Sequence, residues 1–170
     1  TRILDQLDFN ALRTNPKWII GFSDITSLHL KLNQVGIQSI HGTMPILFSK
    51  SGAAQSVESL RDLIFSGRAR LTAVGNPFNR NGEVHGEVLG GNLSLLVDAL
   101  GTRSEPDTAK KILVIEEIDE YLYKIDRMLQ HLKRAGKLSA LAGLVVGHMT
   151  NLKDTDLKFG ECFEELVLHA

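Results

Sequence analysis

Apolar positions along this chain alternate between short unbroken runs and stripes at helical spacing. Ile3, Leu4, Leu7 and Leu12, with Asp5, Gln6 and Asp8 between them, predict one amphipathic helix. Asn15-Pro16 ends it, because proline pushes the residue before it out of the helical region. Trp18-Ile19-Ile20-Gly21-Phe22 predicts a short strand buried on both faces. Ile25, Leu28 and Leu32 then recur at helical spacing from near Asp24, Gly36 closes that helix, and Ile37 to Ile40 predicts a second strand. Strand, helix and strand so close together form a βαβ unit, which requires a parallel sheet.

Val57, Leu60 and Ile64 mark a further helix ending at Gly67. The stretch Gly75-Asn76-Pro77-Phe78-Asn79-Arg80-Asn81-Gly82 is dense in turn formers and has no periodicity, so it predicts a linker, 75–82, between domain portions 1–74 and 83–170. Glu83 to Leu89 alternates as a strand does, and Asn92 is placed to cap the helix striped by Leu93, Leu96, Val97 and Leu100. Ile112 to Ile115 predicts a buried strand, Ile125, Met128, Leu129 and Leu132 a helix stopped by Gly136, and Leu141 to Val146 another strand. Phe163, Leu166 and Val167 stripe a last helix that reaches the final residue without a stop signal. The fold class is α/β, with neither repeats nor low-complexity tracts.

Composition excludes several classes. The 170 residues suffice for a buried core, and 19 basic against 20 acidic residues supply no bulk field for nucleic acid or an anionic membrane. The single cysteine, Cys162, excludes a disulfide framework and a cysteine-clustered zinc site. Apolar runs such as Leu141 to Gly147 fall far short of the roughly 20 residues of a membrane helix. Thr1 to Asn10 has no apolar core of the kind a signal peptide carries. These features point to a protein of a reducing compartment.

Two segments carry candidate chemistry. Gly21-Phe22-Ser23-Asp24 sets a serine between the carboxyl end of a strand and the amino end of a helix, the mouth of an α/β sheet. There the helix dipole stabilises negative charge, and the Asp24 N–H is placed to bind an oxyanion, as in a nucleophile elbow. The familiar elbow has glycine two residues after the nucleophile, whereas this chain has Ile25. Ser23 or Asp24 acting simply as a helix cap is the plainer reading of the same pattern. Glu116-Glu117-Ile118-Asp119-Glu120 follows the predicted strand at Ile112 to Ile115 and can mount a carboxylate that orients an imidazolium. Glu116, Glu117 and Asp119 can alternatively bind Mg²⁺ or Ca²⁺ through oxygen, or the run can be a solvated acidic loop. His41-Gly42 and Gly90-Gly91-Asn92 can line the same mouth, although a capped turn explains the latter as well. His29 reads as a packing residue, while His85, His131, His148 and His169 have no metal-ligand spacing.

Taken in order, several segments resemble the serine LD-carboxypeptidases, the family of murein tetrapeptide carboxypeptidases and microcin C immunity peptidases. They are Asn15 to Thr26, Ile40-His41-Gly42-Thr43-Met44-Pro45, Gly86 to Leu93, Leu113 to Glu120 and Tyr123 to Leu129. The resemblance implies Ser23 as the nucleophile and Glu116 as the glutamate that orients a histidine. It implies the Asp24 backbone N–H in the oxyanion hole, with His41, Gly91 and Asn92 against the substrate. Glu117 stands where the family commonly has aspartate. The implied fold is a flavodoxin-like parallel-sheet N-terminal domain, to which 1–74 belongs, followed by a swivelling β/α C-terminal domain, to which 83–170 belongs. No cofactor and no metal are implied; the partners are a murein peptide substrate and a second subunit in a homodimer, and the setting is cytoplasmic cell-wall recycling. The family's catalytic histidine lies beyond Ala170 and its glycine-rich oxyanion loop before Thr1. The expectation is therefore a central piece of a longer enzyme, close to inactive by itself. Alternatives within the resemblance are an immunity peptidase acting on a peptidyl-nucleotide antibiotic and a non-catalytic peptide-binding remnant.

Overall fold

The computed structural model describes all 170 residues, Thr1 to Ala170. It is an α/β chain with two parallel sheets. The first holds β1 (Ile20–Gly21) and β2 (Ile40–His41). The second runs in the order β3 (Val88–Asn92), β4 (Ile112–Ile118), β5 (Gly143–Thr150). The helices are α1 (Asn10–Thr14), α2 (Thr26–Gln34), α3 (Ala54–Ser66), α4 (Leu93–Asp98), α5 (Leu122–Arg134) and α6 (Phe163–His169). None is long and apolar enough to cross a membrane.

The predicted elements are present, with displaced bounds. The single helix expected over Ile3 to Leu12 is a 3-10 turn, Leu4–Gln6, followed by α1. Asp8 Oδ1 accepts from the Asn10 N–H at 2.9 Å, and this local turn competes with continuous helix. The strand expected at Trp18 to Phe22 is two residues long, and Trp18 is half exposed, because β2 is its sole strand neighbour. The second strand begins at Ile40 rather than Ile37. Glu83 to Glu87 is irregular and exposed; pairing starts at Val88 and runs through Gly90 and Gly91, whose missing side chains the alternation rule cannot count. The strand expected at Leu141 to Val146 is β5, shifted towards Thr150. Residues 68–87 contain no helix or strand.

One buried cluster dominates. Leu89 of β3, Leu113 and Ile115 of β4, Leu93 and Leu96 of α4, Ile125, Leu129 and Leu132 of α5 and Leu166 of α6 pack together. Each such side chain stabilises the fold by about 1.5–3 kcal/mol when fully buried. Leu30 of α2 belongs to this cluster too. Helix α2 therefore serves both sheets, and this explains why Thr26, Ser27, His29, Leu30 and Leu32, spread around its circumference, are all buried. Its stripe at Thr26, Leu30 and Asn33 faces the second sheet: Thr26 bonds to Asn92, Leu30 joins the core, and Asn33 bonds to Glu87 and Lys111.

Candidate active site

Strand β1 ends at Gly21, and the chain turns through a 3-10 turn, Ser23–Ile25, directly into α2. Ser23 has φ of +60°, in the left-handed region that serine rarely occupies. Holding it there costs on the order of 1–3 kcal/mol, a strain that typically marks functional turns. The departure at Ile25 has a steric explanation. A Cβ on Gly21 would lie 2.8 Å from Ile25 Cγ1, so the bulk after the serine is accommodated by glycine before it. The first hydrogen bond of the turn runs from the Ile25 N–H to Phe22 O at 3.2 Å. The N–H groups of Ser23 and Asp24 lie ahead of it, at the amino end where helix donors lack internal acceptors.

Behind this turn His29 is fixed at both ring nitrogens. Nε2 lies 3.0 Å from Gly21 O and Nδ1 2.8 Å from Ser39 Oγ. A carbonyl only accepts, so Nε2 carries the proton and Nδ1 accepts from the Ser39 hydroxyl. Burial holds its pKa below the ordinary value. His29 is thus a satisfied packing histidine, as its place beside the apolar stripe predicts.

The acidic run begins in strand, and only Asp119 and Glu120 lie in the loop that follows. Glu116 and Glu117 lie inside β4, which continues to Ile118. Alternation puts Glu117 on the same face as Leu113 and Ile115, and Glu116 on the other. Glu117 is 4 % exposed and accepts from Asn92 Nδ2 at 2.7 Å, the Ser94 N–H at 2.9 Å, Ser94 Oγ at 2.6 Å and the Ile118 N–H at 3.1 Å. Glu116 is its opposite: Oε1 is buried and has no hydrogen-bond partner, and His41 Nε2 stands 3.9 Å away. Burial, then the neighbouring Glu117, push the Glu116 carboxyl above its ordinary pKa. Burial and the nearby His29 imidazole hold His41 below its own. Opposite Glu116 the pairing of β4 with β5 is irregular, Ile115 matching Val146 and Glu117 matching Met149. Such bulges often re-aim side chains beside active sites.

Gly91 and Asn92 end β3, and Asn92 pairs in register with Glu116. Gly91 has φ of +137°, and a Cβ there would collide with Thr26 Oγ1 and stand 3.2 Å from His41 Cδ2. Asn92 caps α4, its Oδ1 accepting from the Leu95 N–H at 3.2 Å, while its own N–H donates to Thr26 Oγ1 at 3.0 Å. The carboxyl ends of β1 and β3 thereby meet, with the Ser23 turn packed against β3. Glu116, Glu117 and Asp119 do not converge: the two glutamates take opposite faces, and Asp119 lies 3.8 Å from Lys153 Nζ. No histidine side chain hydrogen-bonds to Ser23. A depression of about 610 Å³, lined by Leu12, Trp18 and Ile37 among others, lies at the opposite end of β1 and α2.

The roles of Thr26 and Ser94 escape a reading of the sequence, and Glu117, read there as a candidate metal ligand or solvated loop carboxylate, is instead a buried acceptor. Glu117 was legible in principle, since Leu113, Ile115 and Glu117 share the two-residue period of one strand face. Thr26 was not, because a polar residue on a helix gives no sign of a second packing partner.

Known proteins share this fold. Residues 85–169 match the LD-carboxypeptidase C-terminal domain and residues 1–42 the LD-carboxypeptidase N-terminal domain. The chain is 37% identical over 180 residues to the Bacillus subtilis (strain 168) protein named "Probable murein peptide carboxypeptidase", covering 99% of this chain and 56% of that one. The crystal structure of muramoyltetrapeptide carboxypeptidase from Oxalobacter formigenes superimposes with a TM-score of 0.90 at 30% identity, over 99% of this chain and 58% of that one. The microcin C7 self-immunity protein MccF shares the fold, with a TM-score of 0.77 at 22% identity over 98% of this chain and 59% of its own. The chain thus spans somewhat more than half the length of these relatives. Half of it matches one domain of the family, its first 42 residues match the other, and both parallel sheets are in place: the chain belongs to the LD-carboxypeptidase family.

Proposed function

We propose that the protein is a serine LD-carboxypeptidase that releases the terminal D-alanine of murein tetrapeptides, with its active site between a domain portion at 1–74 and another at 83–170, joined by 75–82. The observation that carries this reading is Ser23 at φ of +60° in a strand-to-helix turn, the backbone of a nucleophile elbow. A histidine that family resemblance places outside these 170 residues takes the proton from Ser23 Oγ. The oxygen attacks the carbonyl carbon of the bond preceding D-alanine. The Asp24 N–H supports the resulting oxyanion, and such a donor is worth about 10²–10³ in rate. Collapse breaks the C–N bond, the histidine returns its proton to the departing amine, and water then releases the acyl group from Ser23.

Glu116 orients that histidine and stabilises its positive charge. Its unpartnered, buried Oε1 supports the assignment, since a buried carboxylate oxygen left without a donor is costly and strengthens any imidazolium beside it. His41, Gly91 and Asn92 form the wall facing the peptide. The same reading carries a homodimer, a cytoplasmic setting and no metal requirement.

The test is D-alanine release from murein tetrapeptide by the whole protein. Ser23→Ala is expected to lower kcat by on the order of 10⁴–10⁶. Release at the parental rate would exclude Ser23 as nucleophile.

A further inference from the structure

We infer that Thr26 is a positioning residue for the hydrolysis proposed above: its hydroxyl clamps the Ser23 turn to the strand pair that carries Glu116. The inference rests on Ser23 and Glu116 having the roles just assigned. These two groups sit on different sheets, and no strand pairing connects the sheets. Their separation must therefore be set by side-chain packing and a few hydrogen bonds.

Thr26 provides such a bond at the catalytic end. It opens α2 three residues after Ser23 and is fully buried. Its Oγ1 accepts from the Asn92 N–H at 3.0 Å, and Asn92 is the register partner of Glu116 across β3 and β4. The route from nucleophile to carboxylate is thus one helical turn, one buried hydrogen bond and one strand pairing. The remaining side-chain hydrogen bonds between α2 and the second part of the chain lie at the far end of the helix. Lys31 reaches Arg103 O, Gln34 reaches Glu105 O, and Asn33 meets Glu87 and Lys111, mostly in exposed positions.

The surroundings are built for this bond. Gly91 has no side chain where a Cβ would strike Thr26 Oγ1, and its φ of +137° turns the next N–H to the hydroxyl. Asn92 cannot rotate away, because its Oδ1 caps α4 and its Nδ2 is held by the buried Glu117. Helix α4 and strand β4 thereby hold the donor, while α2 brings the acceptor. A buried N–H of this kind stays paired unless its acceptor is removed.

Three substitutions in the whole protein separate a clamp from packing. Thr26→Val keeps the shape and removes the acceptor, Thr26→Ser keeps the acceptor and removes the methyl, and Thr26→Ala removes both. The clamp predicts that Thr26→Val and Thr26→Ala lose up to about 10²-fold in kcat on murein tetrapeptide with KM little changed, the scale expected of a small misplacement of reacting groups. Thr26→Ser should stay close to the parental enzyme. Amide hydrogen exchange at Asn92 should accelerate in Thr26→Val and not in Thr26→Ser. Near-parental kcat in Thr26→Val with a slow Thr26→Ser would overturn the inference, as would an Asn92 amide that stays protected in Thr26→Val. Should Thr26→Val fail to fold, the contrast of Thr26→Ser with Thr26→Ala decides, since a packing role slows both alike. Ser23→Ala is run alongside: parental turnover there removes the proposed nucleophile, whereas an inactive Ser23→Ala with a fast Thr26→Val removes only the clamp.

Discussion

His41 Nε2 stands 3.9 Å from Glu116 Oε1, and that carboxylate oxygen is buried without a hydrogen-bond partner. The two residues belong to different sheets and are 75 positions apart in the chain. Each is perturbed against its own charge, Glu116 upwards chiefly by burial and His41 downwards by burial. A negative charge on Glu116 has thus lost part of its solvent, and its Oε1 has gained no donor.

That charge has a stability cost. A carboxyl whose pKa is raised by folding binds its proton more tightly in the native state, so its contribution worsens as pH climbs from its ordinary value of 4.5. Glu116→Gln is expected to gain up to about 1 kcal/mol in unfolding free energy at pH 7 and nothing near pH 4, while hydrolysis falls. Urea unfolding at the two pH values checks the first part, and an equal effect at both would contradict it.

The histidines act in the opposite sense. His29 and His41 both have lowered pKa values, so the unfolded chain takes up protons that the native state refuses. Stability should hold above pH 6.5 and fall as pH drops below it, by at most about 1.4 kcal/mol per pH unit for His29 and by less for His41, whose ring is partly in solvent. Replacing His29 by Gln should reduce that slope, read from denaturant midpoints between pH 5 and 7. A slope unchanged in His29→Gln would show that His29 does not contribute to it.

Strain at Ser23 gives a prediction that separates stability from catalysis. Glycine occupies φ of +60° without penalty, so Ser23→Gly should raise stability by about 1 kcal/mol while abolishing hydrolysis. Calorimetry of Ser23→Gly beside Ser23→Ala tests this. Alanine keeps the strain, and only glycine should raise Tm.

Gly91 and Gly101 form a matched pair. Both have positive φ, but a Cβ on Gly101 meets nothing within 4 Å, whereas one on Gly91 meets Thr26 and His41. Gly101→Ala should cost about 1–2 kcal/mol from backbone strain alone. Gly91→Ala should cost at least about 2 kcal/mol more, because the two domain portions must part to admit the methyl. Urea unfolding of both variants measures the difference, and equal losses would mean the contact at Gly91 is readily relieved.

Hydrophobic period, glycine stops and capping residues were enough to read the α/β class, the order of the elements, the Ser23 turn and the Asn92 cap. These follow from local physics: a strand and a helix differ in period, glycines stop helices, and a capping side chain sits next to the donors it satisfies. Bounds were less legible where a residue's fate depended on distant neighbours. Trp18 looks buried in sequence and is half exposed, since only packing decides what covers a strand. Glu117 looks like a solvated loop residue and is one of the most tightly held side chains, because its four donors come from Asn92, Ser94 and Ile118.

The candidate site divides in the same way. Sequence by itself determined that Ser23 lies at a strand-to-helix junction and that a run of carboxylates begins at Glu116. Tertiary structure alone decided that Glu116 faces His41 while Glu117 faces the core, and that Thr26 joins the two sheets through Asn92. The reason is physical: backbone preferences act over a few residues, whereas the burial of Glu116, the collision a side chain at Gly91 would cause and the acceptor at Thr26 arise only when segments far apart in the chain are packed against one another.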